Sequence, residues 1–253
     1  MPSMKDRLGL KELSSTGYAK LLKALLAEFI GTMFLCFFGC ASTISWGEGH
    51  GGSIVQIALA FGLAGAGVIQ AIGHVSGGHI NPAVTFAMMF TSNVTIVRGF
   101  FYVIVQCLGA IAGSGVLRAL TPEDVGGKLG ATLLETRLTA VQALGMEFLL
   151  GFILLLVVFG VCDEYRGLEK NAPIAIGFAI LVGHLAAVPF TGSSMNPARS
   201  FGSAVYWLGP ILGGIAAGLI YKHVFAMTAP SHGHKEETEY RPVRAEEKEV
   251  NMS

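Results

Sequence analysis

Six apolar runs, each about as long as a bilayer is thick, leave this chain little choice of fold class. They are Leu21–Ile44, Ile54–Ile72, Phe100–Leu120, Leu138–Val161, Pro173–Val188 with its flanks, and Trp207–Met227. A spanning helix needs ~20 apolar residues. In hydrocarbon every backbone N–H and C=O must bond within its own segment, so such runs read as helices. Composition agrees, at 52% apolar and 13% charged, where soluble domains carry about 25% charge. The first run is too long for a secretory signal and lacks a small-residue cleavage site. The 34 glycines suit close helix approach, and Gly109/Gly113, Gly209/Gly213 and Gly214/Gly218 have the small-xxx-small spacing of tight packing in lipid. A net charge of zero implies no nucleic-acid or acidic-substrate partner.

Two apolar stretches, Asn81–Phe90 and Asn196–Val205, are too short to span, and each begins Asn-Pro-Ala. Asn is a strong N-cap and Pro is favoured at the first helical position, so each stretch is expected to be a half-helix starting at its Asn. The segments leading in, Gly73–Ile80 and Gly192–Met195, are rich in Gly and Ser and are expected to be non-helical. Irregular backbone at membrane depth is tolerated only where it is buried or lines a wet cavity. A row of carbonyls along a water-filled pore fits that requirement.

The chain also repeats itself. Ala27-Glu28-Phe29-Ile30-Gly31 answers Met146-Glu147-Phe148-Leu149-Leu150, Ile57–Phe61 answers Ile174–Phe178, and Asn81-Pro82-Ala83 answers Asn196-Pro197-Ala198. Three spans per half is an odd number, so the second half runs the opposite way, and the two broken elements of such an inverted repeat meet near the midplane. The positive N-terminal ends of both half-helices then converge at the bilayer centre. The expected fold is an all-α membrane protein of six transmembrane helices plus two re-entrant half-helices in an inverted 3+3 repeat. Its parts are an arm over 1–20, a channel unit over 21–228 with repeats at about 21–120 and 138–228, and a disordered tail over 229–253.

Lys and Arg favour the cytoplasmic side of a membrane. The arm with Lys23, the tail with Lys222, the link after Val161 and the link before Phe100 together hold 13 of them, against Arg118, Lys128 and Arg137 on the other side. Both termini are therefore expected in the cytoplasm of a cell-membrane protein, where the sequons at Asn93 and Asn251 would go unglycosylated. Cys36, Cys40, Cys107 and Cys162 lie in or at the end of apolar runs without CxxC spacing. They read as small buried hydrophobes rather than a disulfide or metal set. No nucleophile–base set, metal-ligand spacing or ring of pore carboxylates is visible, so no enzyme, cofactor or metal is expected.

The run Ser76–Thr85, the second motif Asn196–Gly202 and their placement in an inverted repeat resemble the aquaporin family over about Leu21–Met227. The resemblance implies a channel passing water but not protons or ions. It implies that Asn81 and Asn196 donate hydrogen bonds to one water at the pore centre. Arg199 lies inside the membrane, where a charge costs ~2.5–3.5 kcal/mol or more and marks a functional site by default. By resemblance it lines a selectivity filter with Phe61, His184 and Ser193, the last replacing the cysteine of several water channels. Glu28 and Glu147 would accept backbone N–H bonds from the two loops. His74 and His79 would brace the first loop, with His79 near the cytoplasmic mouth. Ser200 after the Arg, His184, Ala204 and the Tyr206-Trp207 pair resemble the water-selective branch. A homotetramer with one pore per subunit is implied by the family alone. The competing readings are an aquaglyceroporin-like solute channel and a poorly conducting, junctional or shortened member of the family.

One departure is visible. Asn81 precedes Phe101 by 20 residues (101 − 81), whereas Asn196 precedes the matching Tyr206 by 10 (206 − 196). A ten-residue half-helix rises ~15 Å and leaves no residues for the turn into the sixth helix. The second half-helix is expected to be strained, with unwinding either around Gly202–Ala204 or in the first turn of the sixth helix.

Overall fold

The computed structural model describes residues 4–47, 51–163 and 171–226. The short α1 (Met4–Leu8) and a 3-10 turn (Leu10–Leu13) form the arm. Then follow α2 (Ser15–Ala41), α3 (Ile54–Ser76), the half-helix α4 (Pro82–Phe90), α5 (Ile96–Leu120), α6 (Ala140–Val161), α7 (Ala172–Thr191) and α8 (Val205–Ile220). A π-helical turn, Tyr221–Phe225, extends α8. Counting that turn with α8, six helices among the described residues are long and apolar enough to cross a membrane. The expected tail, Asn251, Arg166 and Lys170 lie outside the described residues.

Caps set the boundaries more than hydrophobicity does. Helix α2 begins at Ser15 rather than Leu21 because the Ser14 hydroxyl accepts the Gly17 N–H at 3.3 Å. Helix α5 begins at Ile96 rather than Phe100 because Thr95 caps it, and α6 opens on a capping box of Thr139 and Gln142. A side-chain oxygen at the N-cap satisfies a donor that the helix itself leaves unpaired. At the other end of α3 the expectation fails. Gly73–Ser76, expected to be irregular, is helical, and the helix stops only at Gly77, whose φ of 91° needs the freedom of glycine.

Packing repeats across the two halves. Helix α2 lies along α5, α6 along α8, and α3 against α7. A Cβ on Gly109 of α5 would strike the Phe29 carbonyl of α2, and one on Gly213 of α8 would strike the Phe148 carbonyl of α6. These two glycines permit backbone-to-backbone approach at matching places, which is how helices associate where lipid offers no hydrophobic drive. Large apolar side chains such as Leu63, Val141 and Phe178 face outward and exposed, as a lipid-facing surface requires, while Leu35, Val84, Leu154, Leu155 and Ile176 fill the interior.

The repeat fails at one place. Asn81 and Asn196 differ by 115 in number (196 − 81), as do Gly77 and Gly192. Gly109 and Gly213 differ by 104 (213 − 109). Eleven residues are therefore missing between the second motif and α8. The first half uses its extra residues to run α4 outward for nine residues, ~14 Å, and to return along α5. The second half cannot do both. Pro197–Gly202 is a run of turns, not an α-helix. Among the described residues the stretch holds one i→i+4 backbone bond, from the Ser200 N–H to the Asn196 carbonyl at 3.2 Å. The expected strain is thus resolved by dissolving the second half-helix throughout and not only near Gly202–Ala204, and α8 starts regularly at Val205.

The glycine at the α6–α8 crossing gives a direct test. Gly213→Val is expected to lower the melting temperature of the purified protein in detergent by several degrees, in line with the ~1–3 kcal/mol cost of overpacking. Gly67→Ala, whose Cβ would meet nothing within 4 Å, is expected to leave it unchanged. Equal melting temperatures for both variants would refute the close-approach assignment.

Candidate pore and constriction

Both re-entrant loops are held by a buried carboxylate. Glu28 of α2 accepts the Ser76 hydroxyl at 2.6 Å and the His79 N–H at 2.9 Å on one oxygen, and the Ile80 N–H at 2.6 Å and the Gln106 amide at 2.8 Å on the other. Glu147 of α6 repeats this with the Thr191 hydroxyl, the Ser194 N–H at 2.9 Å and the Met195 N–H at 2.9 Å. Both carboxyl groups are fully buried, which is tolerable only because their oxygens are this well bonded.

These anchors hold a strained backbone. Gly77, Gly78 and Ile80 have φ of 91°, 62° and 44°, and Gly192, Ser193 and Met195 have 75°, 51° and 55°. Positive φ at a non-glycine residue costs of order 1–3 kcal/mol and persists only where its surroundings impose it. Here the left-handed turns aim the loop carbonyls across the molecule. The Asn81 side-chain amide donates to the Met195 carbonyl at 2.9 Å, and the Asn196 amide donates to the Ile80 carbonyl at 2.8 Å. Each Asn oxygen meanwhile caps its own turn, accepting the N–H of Ala83 at 2.8 Å or of Ala198 at 3.0 Å. Pro82 and Pro197 follow as first residues of the turn, and Ala83 and Ala198 are buried behind them. An amide nitrogen carries two hydrogens, so one N–H on each Asn is left for the lumen.

That lumen is a cavity of about 570 Å³. It begins among Glu12, Asn93, Thr95 and Arg98 on the side of the chain's arm, passes Gly77–Asn81 and Ser194–Asn196, and ends at Phe61, His184 and Arg199. The three end residues pack on one another. The His184 ring stacks on Phe61 with centroids 4.3 Å apart, and the Arg199 guanidinium lies 5.0 Å over the Phe61 ring. One nitrogen of Arg199 donates to the Gly130 carbonyl at 2.8 Å, and His184 Nδ1 is 2.9 Å from the Ile180 carbonyl. His184 Nε2 and Arg199 Nε have no partner among the described residues. A second cavity of about 430 Å³ lies beyond, between Ala131–Leu134 and Arg199–Ser203, and Arg199 borders both.

Two expected residues stand elsewhere. Ser193 does not join the constriction. Its left-handed turn buries it completely, its hydroxyl is unpartnered, and it lines neither cavity. His74 does not brace the loop, because it sits on the added last turn of α3 and faces the cavity. His79 braces it twice, through its N–H on Glu28 and its ring, which is 3.1 Å from the Thr85 hydroxyl and edge-on to Tyr102. Sequence reading gave no loop-holding role to Gln106, Tyr102 or Tyr206, the last of which it read only as a marker of the water-selective branch. The Tyr102 hydroxyl donates to the Ser76 carbonyl at 2.7 Å, and the Tyr206 hydroxyl to the Thr191 carbonyl at 2.9 Å. This pairing matches Tyr206 to Tyr102 rather than to Phe101. A polar Gln in the middle of an apolar run was the available signal for the first of the three.

Comparison with known proteins agrees with this architecture. A sequence profile of the Major intrinsic protein family matches residues 15–221. Aquaporin-4 of Mus musculus is 45% identical over 217 residues, covering 80% of this chain and 67% of its own length. Aquaporin-2 of Bos taurus is 42% identical over 231 residues, covering 87% and 84%. The solved aquaglyceroporin from Plasmodium falciparum has a TM-score of 0.73 at 23% identity, covering 81% of this chain and 96% of that one, a likeness of fold alone. With six apolar spans, two re-entrant loops anchored on matching glutamates and a profile match over most of its length, this chain is a multi-pass membrane protein and belongs to the major intrinsic protein family.

Proposed function

We propose that this chain is a passive, osmotically driven water channel, not an enzyme, and that it excludes protons and ions. The observation that carries the reading is the pair of Asn81 and Asn196 amides, locked to the opposite loop and each left with one N–H at the middle of a continuous cavity. Two donors on one side of a narrow lumen orient a passing water so that its hydrogens point away, which breaks a proton wire. The aquaporin-4 and aquaporin-2 relatives support water as the permeant. In this reading Arg199, Phe61 and His184 form the filter, a cation and two rings too close to admit a polyol, and Ser193 shapes the loop behind it. Glu28, Glu147 and His79 hold the loops. We place both termini in the cytoplasm of the cell membrane on the charge bias, treat residues 21–228 as the channel unit, and adopt the homotetramer of the family.

The missing eleven residues bear on how well this filter works. Arg199 follows Asn196 on turns rather than on a helix, and it rests on Phe61 where the cavity ends. A filter carried on turns is held less firmly, so conductance per molecule is lower than a filter carried on an intact half-helix would allow. Exclusion of cations also leans on fewer elements. Only α4 presents the positive end of a helix to the centre, leaving Arg199 as the fixed positive charge of the second half.

Vesicles holding the purified protein are expected to shrink in sucrose severalfold faster than empty vesicles while taking up glycerol no faster. Glycerol uptake matching water would reject the water-selective reading in favour of a small-solute channel. Arg199→Val is expected to admit glycerol or raise ionic conductance, since the filter loses its charge and its bulk. Unchanged solute range and zero conductance in that variant would show the arginine is not the filter. An eleven-residue polar link inserted between Ser203 and Ala204 is expected to raise water flux per molecule at equal surface expression, by giving the second half-helix room to form. Unchanged flux would show that the dissolved half-helix does not limit conduction.

A further inference from the structure

The inner end of the main cavity contains a residue from outside the membrane helices. Glu12, on the 3-10 turn of the arm, lines the cavity with Thr95, Arg98 and His79. Its carboxylate accepts the Arg98 Nε–H at 2.7 Å on one oxygen and the Thr95 hydroxyl on the other. The ion pair is mostly shielded, with side-chain exposures of 28% for Arg98 and 17% for Glu12, and Thr95 is itself the cap of α5. The arm is seated closely here, since Gly9 has φ of 77° and any Cβ on it would overlap the Thr95 side chain.

From this pair a line of bonds runs to the pore loop. The Arg98 guanidinium lies 5.9 Å from the centre of the Tyr102 ring. The Tyr102 hydroxyl donates to the carbonyl of Ser76, the last residue of α3. The Ser76 hydroxyl donates to Glu28 and accepts the Gly78 N–H at 3.0 Å. The second half has the same tyrosine, Tyr206 on Thr191, without this support. Four residues before Tyr102 stands Arg98 (102 − 4), and four before Tyr206 stands Gly202 (206 − 4). We infer that Glu12 is a positioning residue of the channel, holding the inner half of the pore loop, Gly77–Ile80, in its strained conformation through Arg98 and Tyr102.

The chemistry favours this direction of action. A guanidinium fixed by a charge-assisted bond is pre-organised to lie on an aromatic face. Freed from Glu12, Arg98 keeps its charge but has no fixed place, and it stands in the mouth of the cavity. Tyr102 then loses the cation above its ring, and its bond to the Ser76 carbonyl loosens. The left-handed residues Gly77, Gly78 and Ile80 are the first to relax, because local strain is released where restraint is lost.

The inference rests on the water-channel reading for its effect on flux, but not for its effect on the loop, and the two are measured separately. Hydrogen exchange of the full chain in lipid nanodiscs should show the His79 and Ile80 amides of Glu12→Gln exchanging about tenfold faster than in the unaltered protein. The Ser194 and Met195 amides, held by Glu147, should be unchanged. In vesicles the same variant should pass water severalfold more slowly. Lys11→Gln, on the exposed side of the same turn, should alter neither. If Glu12→Gln does not fold, Arg98→Lys, which keeps the charge without the Nε bond, carries the same expectation. Unaltered exchange at His79 and Ile80 in a folded Glu12 or Arg98 variant overturns the inference. Failure of the unaltered protein to conduct water would instead overturn the channel reading and leave the exchange result to decide this one.

Discussion

Everything in the centre of this molecule depends on two carboxylates with no water to face. Glu28 and Glu147 sit fully buried in spanning helices, where an uncompensated charge would be prohibitive. They are compensated by the loops themselves, through the N–H groups of His79, Ile80, Ser194 and Met195. The dependence runs both ways. The loops need the carboxylates because backbone donors at membrane depth must be satisfied. The carboxylates need the loops because α2 and α6 have no spare donors. That reciprocity fixes loop conformation, and loop conformation fixes the direction of the Ile80 and Met195 carbonyls. Those carbonyls in turn hold the Asn196 and Asn81 amides. The two asparagines are thus placed by a chain of bonds that starts on the helices and crosses the repeat boundary twice.

Part of this was legible in the sequence. The count of spans and the first half-helix lay at one level, where hydrophobic run length and capping chemistry decide the outcome, and there the reading and the structure agree, whereas the second motif forms its cap without its helix. Helix ends were less legible. Ser14 and Thr95 extend α2 and α5 beyond their apolar runs, and α3 continues through His74 to Gly77 because polar residues remain helical while no competing cap intervenes. The side-chain environment of a loop was least legible. Ser193 follows the motif spacing of a filter residue, yet it is fully buried and lines neither cavity. Spacing gives a residue's place along the chain, whereas the packing around the loop decides which wall it faces.

The missing eleven residues show where local propensity yields to topology. Asn196-Pro197 is as good a helix start as Asn81-Pro82, and its cap bonds form at 3.0 Å and 3.4 Å. No helix follows. Packing fixes Gly213 on Phe148 and Tyr206 on Thr191, so the chain leaving Asn196 must be back at Tyr206 within ten residues (206 − 196). A capping preference of about 1 kcal/mol cannot move a spanning helix whose register is set by backbone contact along its length. The helix that can be given up is the short one.

The two halves therefore end with unequal support. The first loop has its carboxylate, Gln106 at 2.8 Å, the tyrosine with an arginine over its ring, and a half-helix whose negative C-terminal end receives the Lys222 ammonium at the Thr91 carbonyl, 3.0 Å away. The second has its carboxylate and its tyrosine, and where Gln106 would recur four residues past the tyrosine stands Pro210 (206 + 4), which offers no donor. Arg199 belongs to this looser half. It is tethered at Gly130, on the link between α5 and α6, rather than by a helix of its own. An inverted repeat places two equal loops at the midplane, but equal placement does not require equal rigidity. In this chain the Asn81 and Asn196 amides are held from both sides, while Arg199 is held mainly by a loop and by the ring beneath it.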